Sequence, residues 1–154
     1  MTDLDALDRP LRVVVTGGRD YRDLDRVWSE LAWLHDRYVV GRLCEGGCPT
    51  GADKHTRAWR SMEGVAGKSY PADWSQGPSG GPIRNGVMLA AETPDLVLAF
   101  PGDRGTKDCI RQAVGLGRLV WVVDAPAWLP GGAESLVPAK GRAEVTGVQG
   151  GLWG

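Results

Sequence analysis

The sequence predicts an α/β protein, and three features of its 154 residues support this class. Short apolar runs rich in β-branched residues each stop at glycine or at a Pro-Gly pair. A segment of helical periodicity follows most of them, and the runs are continuously apolar instead of alternating, as in strands buried on both faces. We therefore expect a single Rossmann-like three-layer sandwich with a mainly parallel sheet of about five strands.

The first strand and helix are the most clearly marked elements. Residues 11–16 (LRVVVT) form an apolar run that ends at Gly17 and Gly18. Asp23 is placed to cap the helix that follows. One face of that helix has apolar residues at the spacing i, i+3, i+4 and i+7, namely Leu24, Val27, Trp28, Leu31 and Leu34.

The pattern repeats along the rest of the chain. Strands are predicted within residues 38–46, 65–70, 94–100 and 118–123, with helices beginning near Thr50, Pro82 and Thr106. Pro82 suits the first turn of its helix, which should end before Thr93, and Gly117 is a natural C-terminal cap of the next. Ile83, Val87 and Ala90 form a stripe that we expect to face the core.

Composition limits the classes of function. Residues 1–10 form an acidic N-terminal extension, residues 11–124 the folded domain, and residues 125–154 a Gly/Pro-rich tail expected to be extended or ordered only against a partner. The net charge of −1 gives no broad basic surface for long nucleic acids. Neither a membrane-spanning run nor a secretory signal is recognised, which predicts a cytoplasmic protein. Three cysteines argue for free thiols.

Three groups of glycines follow predicted strands. Parallel strands place their carboxyl ends at one edge of the sheet, where ligands bind. Glycine lets the backbone approach a ligand, and a helix starting just beyond directs free N–H groups at the same point, which suits a phosphate. Neither GxGxxG nor GxxxxGK[ST] is present. The glycines are Gly17 and Gly18; Gly46, Gly47 and Gly51; and Gly102 and Gly105.

Five segments resemble one known family. VVVTGGRDY, GGCPTGADKHTRAW, YPADW, GPIRNGVML and DLVLAFPGDRGTKDCI occur in the order and approximate spacing of the SLOG superfamily, named after DNA-processing protein A and the Lonely Guy phosphoribohydrolases. They most closely resemble its YspA-like, cpYpsA-related branch. The resemblance implies a Rossmann-like fold, a pocket for a nucleotide or nucleotide-derived ligand, and pairing through helices into a homodimer or higher homo-oligomer.

The resemblance assigns ligand-binding roles by position. Pro101, Gly102, Gly105 and Thr106 correspond to the phosphate-binding turn. Arg84 corresponds to the arginine that reaches the phosphate or sugar, and Asn85 and Met88 complete the RNxxM pattern. Met88 also suits the core. Arg19 is a candidate second phosphate contact or a solvated surface arginine.

Whether the protein is an enzyme is left open by the sequence. Lonely Guy enzymes carry PGGxGTxxE, but here the second glycine is Asp103 and the glutamate position is Cys109. Asp108 lies one residue earlier, turned about 100° around the helix. Asp73, beside the possible base-stacking residue Trp74, is the candidate catalytic carboxylate. Asp20 and Asp53 suit either catalysis or local capping, and Asp53 is also a candidate ligand contact.

Three functions are compatible with these patterns. The leading prediction is a nucleotide-binding sensor or sequestering module that requires no cofactor. The alternative is a nucleoside-monophosphate phosphoribohydrolase or another N-glycosidic hydrolase, and the third is binding of single-stranded DNA, which needs a basic groove with aromatic platforms. Cys44, Cys48 and His55 lack the paired spacing of a zinc site, so no metal is expected.

Overall fold

The computed structural model describes residues 3–128 and 142–144. A short 3-10 helix (Asp3–Ala6) precedes the alternating strands and helices. The strands are β1 (Leu11–Thr16), β2 (Val40–Cys44), β3 (Leu96–Ala99), β4 (Val120–Val123) and β5 (Arg142–Glu144). The helices are α1 (Leu24–Tyr38), α2 (Gly51–Glu63), α3 (Gly80–Glu92), α4 (Arg104–Gly115) and α5 (Ala125–Trp128).

The strands form one sheet in the order β2-β1-β3-β4-β5. The first four of these pair in parallel, and β5 adds an antiparallel edge to β4. The predicted α/β sandwich is therefore confirmed. The chain moves outward from β1 to β2 and then returns to place β3 on the other side of β1, so strand order reverses between β1 and β3. A ligand crevice is expected at that point.

Alternate residues of the strands build one core on each face of the sheet. Val13 and Val15 point to the face covered by α1 and α2, where Leu31, Leu34 and Trp59 are buried. Val14 points to the opposite face, where α3 and α4 supply the buried residues Met88, Leu89, Cys109 and Ile110. This double coverage explains why the strands are continuously apolar.

Local signals predicted the first and third helices well. The carboxylate of Asp23 accepts a hydrogen bond from the Arg26 amide at 2.9 Å, which confirms it as the cap of α1. Pro82 lies in the first turn of α3, and that helix ends before Thr93 as predicted. Gly117 adopts φ 74° just after α4, where a left-handed residue ends the helix.

The strand predicted at residues 65–70 is wrong. Ala66 forms an isolated bridge with Arg42 of β2, and Ser69 forms another with Glu45, the residue after β2. Gly67 lies between them with φ +155°, and a side chain there would meet the carbonyl oxygen of Leu43. The backbone turns out of register at Gly67, so a continuous ladder does not form.

The apolar stripe on α3 does not face the core, which corrects the prediction. Ile83 and Val87 are 62% and 56% exposed, and Ala90 is exposed as well. Met88 and Leu89 are buried instead, because the neighbouring face of α3 packs against α4 and the sheet.

The homodimer or higher homo-oligomer implied by the family resemblance stays a prediction.

Only part of the predicted tail lies within the described residues. Residues 125–128 form α5, and residues 142–144 form β5 on the sheet edge, so the tail contributes to the fold at these two points. The other residues of the predicted tail lie outside the described part of the chain, as do residues 1–2. Within the described residues, the structure has no helix of the length and apolarity needed to cross a bilayer.

A substitution at Gly51 tests how tightly β1 and α2 approach each other. Gly51 has φ +71°, and a Cβ there would lie 2.2 Å from the Gly18 carbonyl oxygen. Gly64 has a similar φ of +68° but no atom within 4 Å of its Cβ position. We expect Gly51→Ala to lower the free energy of unfolding by about 2 kcal/mol and the control Gly64→Ala by about 1 kcal/mol. Urea titration measures both, and equal losses would contradict the close approach.

Candidate functional site

An open cleft of about 870 Å³ lies at the carboxyl edge of the sheet. Its walls come from the segments that follow β1, β2 and β3, from the loop before α3 and from α3 as far as Met88. This is the place where strand order reverses. Predicted site residues on the wall are Gly17, Gly18, Arg19, Gly46, Asp53, Trp74, Arg84, Asn85, Met88, Pro101, Gly102, Gly105 and Thr106.

Two glycines from different strands meet at the floor of the cleft. The Gly18 amide donates to the Pro101 carbonyl at 2.9 Å, which ties the end of β1 to the end of β3. A Cβ on Gly18 would lie 2.9 Å from the Pro101 oxygen, and one on Gly102 would lie 2.1 Å from Thr106 Oγ1. Neither position has space for a side chain, so backbone lines the floor.

The first turn of α4 opens onto this floor. Arg104, Gly105 and Thr106 line the cleft, and the first amides of a helix have no acceptor within it. The side chain of Asp103, at the N-cap position, makes no capping hydrogen bond to them. These amides and the positive end of the helix dipole therefore favour a negatively charged group here.

Arg84 carries the cationic group most firmly held in the cleft wall. Its Nη1 donates to the carbonyl oxygens of Gly46 and, at 3.2 Å, of Tyr70, and its Nε donates to Asn85 Oδ1 at 2.9 Å. All of these acceptors are neutral. No salt bridge within 4.0 Å involves Arg84 among the described residues. The guanidinium is thus oriented by the protein and left without a directly paired anion.

Asn85 fixes both Arg84 and α4. While its Oδ1 accepts from Arg84, its Nδ2 donates to the Gly105 carbonyl at 3.1 Å and to Asp108 Oδ2 at 3.0 Å. Asn85 is 2% exposed. Met88 lies one turn further along α3, and it both lines the cleft and is buried in the core.

Asp53 is a buried carboxylate in the cleft wall, and it lies near Arg84 at Gly46. It is 6% exposed and lies in the first turn of α2, with Thr50 at the N-cap position. Its Oδ2 accepts from the Cys48 amide at 3.2 Å, so the carboxylate holds the segment after β2. Burial raises the pKa of Asp53 to about 6, and the nearby Glu45 adds to the increase, while hydrogen bonds and Arg84 oppose it.

Glu45 is a structural residue that the sequence analysis missed. It is completely buried at the end of β2. Its two carboxylate oxygens accept from the Gly47 amide at 2.8 Å, Arg57 and Arg60 at 3.0 Å each, and Ser69 at 2.6 Å. These donors come from three separate segments, so this carboxylate fixes the loop that carries Gly46 and Gly47.

The position of the Lonely Guy catalytic glutamate and the residue before it do not supply a carboxylate to the cleft. Cys109 is fully buried, and burial raises the pKa of its thiol to about 12. Asp108 accepts hydrogen bonds from Asn85 and from Gln112, at 3.0 and 2.7 Å. Neither residue belongs to the cleft wall, whereas Asp103 does.

The predicted catalytic residue Asp73 lies outside the cleft wall, whereas its neighbour Trp74 belongs to it. Asp73 is exposed and outside the cleft wall, and its Oδ1 accepts from the Ser75 amide at 3.0 Å, which lowers its pKa. Trp74 lines the cleft, is 51% exposed, and lies close over Gly80 and Gly81 at the start of α3. Its indole therefore offers a partly open aromatic surface at the rim.

The other predicted contacts lie around the mouth of the cleft or behind it. Arg19 is an exposed residue on the cleft wall. Gly47 and Gly51 lie outside the wall and shape the loop between β2 and α2. Gly47 has φ +73° and packs against Pro71. Among the described residues, no group of three or more His, Cys, Asp or Glu side chains is arranged to hold a metal ion.

Fold and site together define a Rossmann-like α/β domain with a cleft at the reversal point of its sheet. Residues 11–77 match the model of the YspA, cpYpsA-related SLOG family. The chain is also 36% identical over 114 residues to the Gene 61 protein of Mycobacterium phage D29, and the alignment covers 69% of this chain and 90% of that protein.

The chain belongs to the YspA, cpYpsA-related SLOG family, as the resemblance predicted. It is thus a nucleotide-related Rossmann-like protein. The matched residues include Gly17, Gly18 and Asp53 but end before Arg84 and the turn at Gly102. The roles of these last two residues therefore depend on the geometry of the cleft.

Proposed function

We propose that the cleft binds a nucleotide or nucleotide-derived ligand and that the protein acts as a sensor or sequestering module. The observation that carries this proposal is the environment of Arg84. Its guanidinium is held in the cleft wall by neutral oxygens, with no salt bridge within 4.0 Å among the described residues. A partly buried cation oriented in this way is suited to an anionic group of a ligand.

Other parts of the cleft support a phosphorylated, aromatic ligand. The first turn of α4 and the backbone of Gly102 offer a place for a phosphate. Trp74, at the rim, offers a surface on which a base can stack. The volume of about 870 Å³ lies in the range typical of small-molecule sites, about 300–1,000 Å³.

Calorimetric titration of AMP, ADP-ribose, NAD and cyclic AMP tests this proposal. We expect at least one of them to bind saturably, and Arg84→Met to weaken that binding by about 30- to 100-fold, because a charge-assisted contact contributes about 2–3 kcal/mol. Arg37→Met is the matched control, since Arg37 is exposed in the last turn of α1. Failure of all four ligands to bind, or equal binding by Arg84→Met and the original chain, would contradict the proposal.

Asp53 favours a second candidate function, N-glycosidic hydrolysis of a nucleoside monophosphate. Its buried carboxylate lines the cleft and has a pKa of about 6, which is suited to proton transfer near neutral pH. Water would add to C1′, the C1′–N bond would break, and the base would leave with a proton. A carboxylate beside C1′ would stabilise the positive charge that develops there.

Chromatography of an AMP reaction distinguishes hydrolysis from binding alone. The enzyme hypothesis predicts free adenine and ribose 5-phosphate in equal amounts, with release abolished by Asp53→Asn. Asp73→Asn provides the comparison, because Asp73 lies outside the cleft wall. Saturable AMP binding without adenine release would leave the sensor or sequestering function and exclude AMP hydrolysis.

A further inference from the structure

We propose that Asp53, with the loop after β2, forms a hydroxyl-binding subsite that selects ribonucleotides over 2′-deoxyribonucleotides. This inference rests on the proposed function, because it needs a phosphate held near Gly102. It assigns the sugar of the ligand to the wall formed by α2 and the loop at residues 46–48.

The hydrogen-bonding capacity of Asp53 is the first argument. An ionised carboxylate only accepts, and it offers about four lone-pair sites. The Cys48 amide occupies one at 3.2 Å, and the Gly46 amide also contributes. Asp53 is 6% exposed, and it lines the cleft. Its remaining acceptor capacity is therefore available to donors on an occupant of the cleft.

The charges around Asp53 are the second argument. Glu45, which directly follows β2, and Arg84 on α3 act on its charge, and Asp53 in turn acts on Cys109 of α4. The charge of Glu45 disfavours the ionised form of Asp53. Arg84 favours that form without making a salt bridge within 4.0 Å. The charge of Asp53 is thus incompletely compensated by described residues. A neutral group with two donors, such as a cis-diol, would solvate the carboxylate without adding a second negative charge beside it.

The third argument is that hydrogen bonds of Gly18 connect the predicted phosphate-binding turn with the helix turn that carries Asp53. The Gly18 amide donates to the Pro101 carbonyl at 2.9 Å, and the Gly18 carbonyl accepts from the Ala52 amide at 3.1 Å. One residue therefore links the turn before Gly102 to the helix turn that carries Asp53. A ribose 5′-phosphate extends its 2′ and 3′ hydroxyls away from the phosphate, so it suits two contacts on either side of Gly18.

Titration of the full chain with AMP, 2′-deoxy-AMP and IMP tests the subsite. We expect AMP and IMP to bind about 10- to 100-fold more tightly than 2′-deoxy-AMP, because removal of the 2′ hydroxyl leaves a buried carboxylate short of a donor. Asp53→Asn should reduce this ratio to about threefold or less, since the amide carries no charge. Asp36→Asn, in the last turn of α1, should leave the ratio unchanged.

The outcomes separate this inference from the proposed function. Equal binding of AMP and 2′-deoxy-AMP to the original chain would overturn the subsite and leave nucleotide binding intact. Selective loss of IMP binding would assign Asp53 to the amino group of the base, which also overturns it. Absence of binding by all three nucleotides would overturn the proposal together with its premise. If Asp53→Asn fails to fold, equal binding of AMP and 2′-deoxy-AMP by the original chain still overturns the subsite.

Discussion

Replacement of Glu45 by alanine is expected to lower the free energy of unfolding by about 3–4 kcal/mol. The carboxylate is completely buried and accepts four hydrogen bonds, two of them from Arg57 and Arg60 at 3.0 Å. Its removal takes the charged partner from both arginines and the acceptor from the Gly47 amide and the Ser69 hydroxyl, although Arg60 keeps the carbonyl oxygens of Leu43 and Lys68 as acceptors. Arg57 and Arg60 keep 29% and 14% side-chain exposure, so water compensates part of the loss.

Urea unfolding of the original chain and three variants measures this effect. Glu63→Ala, at the exposed end of α2, is the matched control and should change stability by less than about 0.5 kcal/mol. The loss of stability in Glu45→Gln should lie between the losses in Glu45→Ala and Glu63→Ala, because glutamine keeps the shape and one acceptor oxygen but loses the charge. A loss below about 1 kcal/mol in Glu45→Ala would show that the buried carboxylate does not hold this loop.

Substitution of Asp53 by asparagine is expected to change the pH dependence of stability. The pKa of Asp53 is raised from 3.8 to about 6 by burial, so the folded protein binds the proton more tightly than the unfolded chain. The contribution of this group to stability is therefore full below pH 3.8 and is lost as pH rises through about 6. Between pH 4 and 7.5, the stability of Asp53→Asn relative to the original chain should rise by about 2–3 kcal/mol.

Chemical denaturation at several pH values measures that difference. Glu92, whose pKa is lowered to about 2 mainly by its hydrogen bond with Arg42, contributes a stability that is lost as pH falls from 4.5 towards 2. This opposite trend is present in both proteins and cancels in the comparison. A constant stability difference between pH 4 and 7.5 would contradict the raised pKa of Asp53.

Much of the fold follows from local patterns. The strand at residues 11–16 and the cap at Asp23 depend on contiguous apolar residues and on one neighbouring side chain, so the sequence predicts both. The outward face of α3 was harder to predict, because apolar residues occur on both sides of this helix. Packing of α4 against Met88 and Leu89 decides which side is buried, and that contact joins residues distant in the chain.

The candidate site was predictable in its backbone and less so in its carboxylates. Gly18 and Gly102 follow strands, and parallel strands necessarily bring their carboxyl ends together. Asp73 lies beside an aromatic residue in a predicted loop, and Asp53 lies near a glycine at the start of a predicted helix. Neither sequence context shows which of the two carboxylates lies in the cleft. Only the tertiary fold places Asp53 in the cleft wall and Asp73 outside it.

An amide-resolved NMR titration of the full chain with AMP tests the claim on which the proposed function depends. The claim is that an anionic group binds at the carboxyl edge of β1 and β3, between the first turn of α4 and Arg84. It predicts saturable shifts at the amides of Gly18, Gly102 and Gly105 and at Nε of Arg84. Saturable shifts confined to residues away from this edge, or no shift at these four groups, would contradict it.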